Sequence, residues 1–521
     1  MNATSEKNSK AIVEYGSTNN ISRDKKRTFT DIPSLIIFSI FFIFYIAIGI
    51  FAFCNGDATK VQWEANPEFE RKMDFINNLL ENMNDLRYVI LSFVSFALLL
   101  SVLYIVILRW IPGFFVYTAI IIECAVLTIF IISIPIFFLA LEGQYNLSKL
   151  VSGIVFIVLT SIKLYILKQV GTTVICEVIK ESCRAILNFP SSILLSVFVY
   201  ILEIFSVLNT LSIFSYLMTI QSNYKKVSMS SMDSCQCLPE LMYDDGSECD
   251  EDVFKTMCKP VGGIGSCMIS SCIAYLATPS YIYFFHVINL IFGLWLVTVI
   301  FYFGQMLLSG TFATWYWTTN KKSIGFTTVS RNAVTIMKYH LGTLAHGTSP
   351  WVIVSIIHSV YSTFKMSKFW RAPWTMLVCW WTIFCKAADN GMILSTIHGE
   401  KMSRSIQMAT DLCYRNPLRF YIMNKTIEWL AIFMTLFVVS ITLPITFGYI
   451  ASQSNEPTWI YTFLIAIIIC ALLMIFPILI LLSISINTII LCIFDDLKNN
   501  EETKEKRHHM NHKLEDLLVV K

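Results

Sequence analysis

The sequence predicts an all-α integral membrane protein, a polytopic bundle of about ten transmembrane helices with one disulfide-stapled extracellular loop. Of its 521 residues, 55% are hydrophobic and only 14% are charged, and the mean hydropathy is +0.62. Soluble domains carry about 25% charged residues. The first long apolar run, 32–53, holds no charge, and roughly 20 apolar helical residues span a bilayer. These features exclude soluble enzymes and nucleic-acid-binding proteins.

A polar tail, residues 1–31, precedes the first run and contains a basic cluster at 23–27. Because Lys and Arg concentrate in cytosolic segments, we expect the N-terminus in the cytosol. The first run is too long for the apolar part of a signal peptide, so we expect an uncleaved anchor. An even number of crossings returns the tail 498–521 to the cytosol. The predicted spans are 32–53, 88–108, 113–141, 150–168, 190–220, 281–308, 341–361, 373–397, 427–450 and 459–494.

Spans one to five therefore fill residues 32–220 and spans six to ten fill 281–497. Three basic residues, Lys365, Lys368 and Arg371, lie between spans seven and eight, where this count puts an outside loop. Whether 341–361 and 373–397 are both full crossings is left open. The tenth run is too long for one perpendicular helix, which predicts a tilt or an extension beyond the membrane.

Residues 169–189 are predicted to form an amphipathic helix at the cytosolic interface rather than a span. Cys176, Ile179, Cys183 and Ile186 recur at helical spacing, and charged residues occupy the opposite face. Such a pattern is typical of interfacial helices. Two roles are compatible with it, a linker between spans four and five and a gating element.

The loop 221–280 holds six of the 15 cysteines and lies outside in this topology, where thiols oxidise. Disulfides are therefore the expectation, and six cysteines allow 15 pairings, among which the sequence does not choose. Scattered spacing does not favour a zinc site, which needs paired CxxC motifs. The six are Cys235, Cys237, Cys249, Cys258, Cys267 and Cys272.

Ionisable side chains inside predicted spans are costly and mark candidate functional residues. Aromatic residues near the span ends fit an interfacial belt or, alternatively, a cage that holds an organic cation by cation–π contact. The ionisable residues are Glu123, Glu203, His286, His340, His346, His358, Asp389 and Glu428. The aromatic residues are Trp315, Tyr316, Trp317, Trp351, Trp374, Trp380 and Trp381.

Catalytic and nucleotide-binding motifs are missing from the sequence. It contains no Walker A motif and no GxSxG motif, and the HHxxH string at 508–512 lies in a hydrophilic tail without other histidine clusters. We therefore expect neither an enzyme nor a metal or other cofactor. Secondary transport through a path between helices fits the sequence better.

The second half carries an ordered set of motifs that resembles the choline transporter-like family, solute carrier family 44. The motifs are SGTFATWYW at 309–317, YHLGTLAHG at 339–347, AADNGMI at 387–393, HGEK at 398–401 and RNPLR at 415–419. The sequence departs from the family pattern in three places. The loop 54–87 is short, His346 stands in the YHLG motif, and Asp389-Asn390-Gly391 replaces an AYI-like stretch.

The resemblance implies sodium-independent transport of choline, or of ethanolamine, across the plasma membrane or an organelle membrane, supplying phospholipid synthesis. As a hypothesis, the substrate lies near mid-membrane between spans two, six, seven and nine. Tyr88, Trp317 and Tyr339 would offer ring faces, Asp85 and Glu428 negative charge, and His340 a polar or proton-linked gate.

Two other classes of function are weighed against transport. One is a membrane scaffold or receptor that binds a partner through the extracellular loop and transports nothing. The other is a polytopic lipid enzyme, which the missing catalytic motifs disfavour. The sequence leaves open the oligomeric state, the ion coupling and the direction of flux.

Overall fold

The computed structural model describes residues 29–56, 87–123, 125–126, 171–220, 222–228, 235–237, 258–260, 271–277, 279–319, 321, 324, 327–349, 385–453, 457–503 and 509–518, with isolated positions at 154, 158, 161 and 353. In chain order its helices are α1 Ile32–Asn55, α2 Arg87–Trp110, α3 Pro112–Glu123, α4 Thr172–Asn188, α5 Pro190–Met218, α6 Ser280–Trp317, α7 Thr328–Tyr339, α8 341–349, α9 385–398, α10 Met402–Arg415, α11 Pro417–Gln453, α12 Pro457–Thr503 and α13 His512–Leu518.

Within the described ranges, six helices are long and apolar enough to cross a membrane. They are α1, α2, α5, α6, α11 and α12, and they correspond to the predicted spans one, two, five, six, nine and ten. The predicted spans three, four, seven and eight lie wholly or partly outside the described residues, so a count of ten stays a prediction. The tenth span is one continuous 47-residue helix, which fits the expected extension beyond the bilayer.

The described part of the loop 221–280 contains four short strands, which the prediction of an all-α bundle did not include. Strand β1, Ser222–Ser228, pairs antiparallel with β4, Ser271–Ala277. Strand β2, Cys235–Cys237, pairs antiparallel with β3, Cys258–Pro260. The second register makes Cys237 and Cys258 direct partners across the strands. Cys249 and Cys267 lie outside the described residues, so the predicted disulfide framework stays a prediction.

The chain divides into two compact units. One comprises residues 39–66 and 205–296. Within it, polar contacts join α1, α5 and α6. The hydroxyl of Tyr45 in α1 lies 2.9 Å from Thr210 Oγ1 in α5, and Asn289 Nδ2 in α6 donates to the Thr210 carbonyl over 3.0 Å. Asn209 Nδ2 also donates to Tyr45 over 3.0 Å. In lipid such groups gain no hydrogen bond from water, so these contacts fix which helix faces meet.

The other unit comprises residues 1–38, 67–204 and 297–521. Its largest apolar core is formed by α2, α4, α11 and α12. Helix α4 lies within the predicted amphipathic segment 169–189, and its buried apolar face includes Ile175, Ile179 and Ile186; its place at the cytosolic interface stays a prediction. That face packs against α2 and α12. The helix is therefore part of the protein core as well as of its surface.

A close approach between backbone segments occurs at Gly342 of α8. A Cβ atom there would lie 2.3 Å from the Thr30 carbonyl oxygen and 2.6 Å from that of Asp31. Thr30 is held in place because its backbone N–H and its hydroxyl both donate to the Tyr339 carbonyl, over 3.2 and 3.0 Å. Only glycine fits without displacing this segment.

We expect Gly342→Ala to destabilise the protein, because the methyl group must push a hydrogen-bonded backbone segment aside. Overpacking of this kind costs about 1–3 kcal/mol. Thermal unfolding of the purified protein in detergent checks it as a lower midpoint. Gly448→Ala in α11 is the matched control, since nothing lies within 4 Å of its new Cβ. Equal unfolding midpoints for Gly342→Ala and Gly448→Ala would contradict the close approach of Gly342 to the Thr30 carbonyl.

Candidate functional site

The structure places the residues of the predicted substrate site in separate surroundings. Asp85 lies outside the described residues. Tyr88, at the start of α2, is 72% exposed. Glu428 in α11 accepts from Lys425 Nζ over 2.7 Å, and its side chain is 57% exposed. Its negative charge is therefore balanced by a neighbour one helical turn away.

Trp317 lies at the end of α6 and is buried. Its ring stands nearly perpendicular to that of Tyr316, with centroids 5.2 Å apart, and contacts the His509 ring at 5.1 Å. The C-terminal segment thus covers this tryptophan.

Tyr339 and His340 lie at the junction of α7 and α8. The Tyr339 ring packs on Phe29 at 5.6 Å, with Lys338 Nζ 5.2 Å from its centroid. His340 is fully buried and its backbone N–H bonds the Ile336 carbonyl. These residues and Trp317 and Glu428 each have neighbours of their own, so their shared substrate role stays a prediction.

A different pair joins an acid to an aromatic ring inside the helical bundle. The Tyr302 hydroxyl of α6 donates to Asp389 Oδ1 of α9. Tyr302 is buried in an apolar cluster with Met306, Ala388 and Met392. The Phe301 ring stands edge-on to Tyr302 at 5.0 Å. The pair therefore combines a carboxylate, a hydroxyl and aromatic rings in apolar surroundings.

The sequence marks Asp389 as an ionisable residue in a predicted span. Neither Asp389 nor Tyr302 belongs to the substrate set predicted from sequence. The two residues are 87 positions apart, and no local pattern signals that they meet. The available signal was the position of Asp389 in the AADNGMI motif, at a departure from the family pattern.

Motif glycines bring the surrounding helices together at this site. A Cβ at Gly391 of α9 would lie 2.7 Å from Ile406 Cγ1 and 3.1 Å from its backbone nitrogen, in α10. One at Gly310 of α6 would lie 2.9 Å from Thr396 Cγ2. The small residues within the motifs thus correspond to close contacts among α6, α9 and α10, as expected for membrane helices.

An aspartate at the start of α1 links this region to the first span. Asp31 Oδ2 accepts hydrogen bonds from Thr343 Oγ1 over 3.1 Å and from the Met402 backbone N–H over 3.0 Å. The second bond satisfies an N–H in the first turn of α10 that has no partner within the helix. Asp31 has a φ of 52°, a left-handed conformation that is uncommon outside glycine. Its side-chain bonds hold it there.

Two adjacent acids, Asp495 and Asp496, lie near the end of α12. Asp495 Oδ2 lies 3.1 Å from His398 Nε2 of α9. Asp496 is buried and accepts from the Tyr316 hydroxyl over 3.0 Å and from the His509 backbone N–H over 2.8 Å. These contacts connect α6, α9 and α12 with the C-terminal segment.

Comparison with known proteins supplies the family. A family model described as plasma-membrane choline transporter matches residues 150–498. Choline transporter-like 2 of Anopheles gambiae is 27% identical over 369 residues, which cover 66% of this chain and 45% of that protein. Choline transporter-like 2 of Drosophila melanogaster is 26% identical over 371 residues, which cover 66% of this chain and 46% of that protein. Choline transporter-like protein 2 of Danio rerio is 24% identical over 485 residues, which cover 83% of this chain and 67% of that protein.

The chain spans about half the length of the first curated relatives that it matches. The matched region nonetheless contains α4 to α6, α9 and nearly all of α12, and with them Tyr302 and Asp389. Since the family model matches well over half of the 521 residues, this multi-pass membrane protein belongs to the choline transporter-like family.

Proposed function

We propose that the protein is a secondary transporter that carries choline, or a related small organic cation such as ethanolamine, across a membrane without sodium. The proposal places it in the plasma membrane with both termini in the cytosol, where the imported amine supplies phospholipid synthesis. Family membership and the names of the relatives support the substrate class. The contact between Tyr302 and Asp389 is the observation that carries the site.

A quaternary ammonium ion has no N–H to donate, so proteins bind it through ring faces and balance its charge with an acid. The Tyr302–Asp389 pair supplies both groups at one place, with the Phe301 ring beside them. The hydroxyl bond from Tyr302 orients the carboxylate. A carboxylate within a membrane span is costly to place there, and a bound cation would offset part of that cost.

The choice of Asp389 over Glu428 as the main anionic group rests on their surroundings. More than half of the Glu428 side chain is exposed, and Lys425 pairs with it. Asp389 accepts a hydrogen bond from Tyr302, whose ring lies in an apolar cluster. The substrate roles predicted from sequence for Asp85, Tyr88, Trp317, Tyr339 and His340 stay part of the proposal.

We expect Asp389→Asn to lower the initial rate of labelled choline uptake into proteoliposomes at least tenfold, because the amide keeps the shape and removes the charge. Asp411→Asn is the matched control, because Asp411 is an exposed acid on α10 paired with Lys498. Replacing sodium by potassium is expected to leave the rate of the unaltered protein unchanged.

The same experiment separates the competing assignments. If Glu428→Gln abolishes uptake and Asp389→Asn does not, the site belongs to the set predicted from sequence. If the unaltered protein gives no uptake above empty liposomes under any imposed gradient, transport is wrong, and a scaffold or receptor function takes its place.

We expect the ring and the hydroxyl of Tyr302 to contribute separately to choline affinity. Tyr302→Phe keeps the ring face and loses the bond to Asp389, whereas Tyr302→Ala loses both. A desolvated cation–π contact contributes about 2 kcal/mol, so the KM for choline should rise substantially more in the alanine variant than in the phenylalanine variant. Competition by ethanolamine should weaken less in Tyr302→Ala, because an ammonium that donates hydrogen bonds depends less on rings. Equal KM values for the two variants would argue against cation–π binding at this position.

A further inference from the structure

A cavity of about 400 Å³ lies at the end of α6, apart from the Tyr302–Asp389 pair. Its walls come from the last turns of α2 and α6, from α4 and α12, from Lys321 and from the C-terminal segment that begins at His509. Because α2 and α6 are long and apolar enough to cross a membrane and end at this cavity, we expect it at the level of the lipid head groups.

Charge in the cavity is predominantly positive. Among the described residues that line it, Arg109, Arg184 and Lys321 face one carboxylate, Glu181, with His509 as a further titratable group. Glu181 Oε1 already accepts from Arg184 Nη1 and, over 3.0 Å, from Asn511 Nδ2. That carboxylate therefore neutralises one arginine and leaves an excess of positive charge.

Lys321 is held in the cavity wall by bonds to the end of α6. Its Nζ donates to the Trp315 carbonyl and, over 2.9 Å, to the Tyr316 carbonyl, and it lies 4.3 Å from the centroid of the Trp315 ring. Burial lowers the pKa of Lys321 to about 8. An anion beside it would favour the charged form and reverse that effect.

One buried hydrogen-bond donor in this wall lacks an acceptor among the described residues. Trp315 is only 4% exposed, and its indole N–H meets no acceptor among the residues that the structure describes. A buried donor without an acceptor costs about 1–3 kcal/mol. Two guanidinium groups and an ammonium add further donors, and arginine pairs especially well with phosphate oxygens.

We propose that this cavity binds a phosphate group, carried either by the head group of an anionic phospholipid or by a small soluble phosphate ester. Basic pockets between membrane helices are suited to phosphorylated head groups. The site is separate from the proposed choline site, so it does not depend on the transport function. Because His509, Met510, Asn511 and Leu514 form one wall, a bound phosphate would hold the C-terminal segment against α4.

The test measures binding to the purified full-length protein in detergent. The probes are inorganic phosphate, dioctanoyl phosphatidic acid and dioctanoyl phosphatidylcholine, the last as a head-group control without net charge. We expect saturable binding of phosphatidic acid, at least tenfold tighter than that of phosphatidylcholine. Equal affinity for inorganic phosphate would identify a soluble phosphate ester as the ligand, whereas binding of the lipid alone would identify the head group.

Arg184→Gln and Lys321→Gln are each expected to weaken phosphatidic acid binding at least tenfold, and Lys321→Arg to retain it. Arg415→Gln is the matched control, since Arg415 is exposed, paired with Asp411 on α10 and outside the cavity. Thermal unfolding midpoints of the ligand-free variants identify any variant that fails to fold. Of Arg184→Gln and Lys321→Gln, the former is expected to disturb folding less, because the Arg184 side chain is 41% exposed. The proposal is overturned if no phosphate probe binds, or if Arg415→Gln weakens binding as much as Arg184→Gln does.

Discussion

Every polar atom on a helix within a bilayer needs a partner from the protein, because the hydrocarbon supplies none. In this chain that requirement decides which helix faces meet. Tyr104 of α2 donates to the Leu430 carbonyl of α11 over 3.2 Å, and Ser196 of α5 donates to the Pro477 carbonyl of α12 over 2.6 Å. The Tyr302–Asp389 contact obeys the same rule. It differs because its acceptor is a carboxylate rather than a backbone carbonyl.

The positions of the long apolar helices were predictable, because a single property, hydrophobicity over about 20 residues, determines them. The amphipathic helix α4 was predictable for a related reason. Its apolar residues recur with the helical period, and the structure buries Ile179, Cys183 and Ile186 as that period requires. Its packing on α2 and α12 was not predictable, since a periodic apolar face fits lipid and protein equally well.

The candidate site was only partly predictable, because the sequence shows which residues are costly to bury but not which of them meet. Asp389 was recognised as an acid in a span, whereas its partner Tyr302 looked like one of many aromatic residues. Glu428 was given a substrate role, and its neighbour Lys425, three positions away, was overlooked. The strand pairs of the loop 221–280 were also missed, since short strands among polar residues leave no clear alternation of hydrophobicity.

Helix α12 is longer than the hydrocarbon layer of a bilayer is thick. Its 47 residues measure about 70 Å at 1.5 Å per residue, more than twice the thickness of the hydrocarbon layer. Pro477 lacks the backbone N–H that would reinforce the helix at that point, and Asp495 lies about 27 Å further along the axis. A change of tilt by roughly 10° at the proline would swing Asp495 by about 5 Å. A swing of that size would break the 3.1 Å contact between Asp495 and His398, so this contact requires α12 to keep one direction on both sides of Pro477.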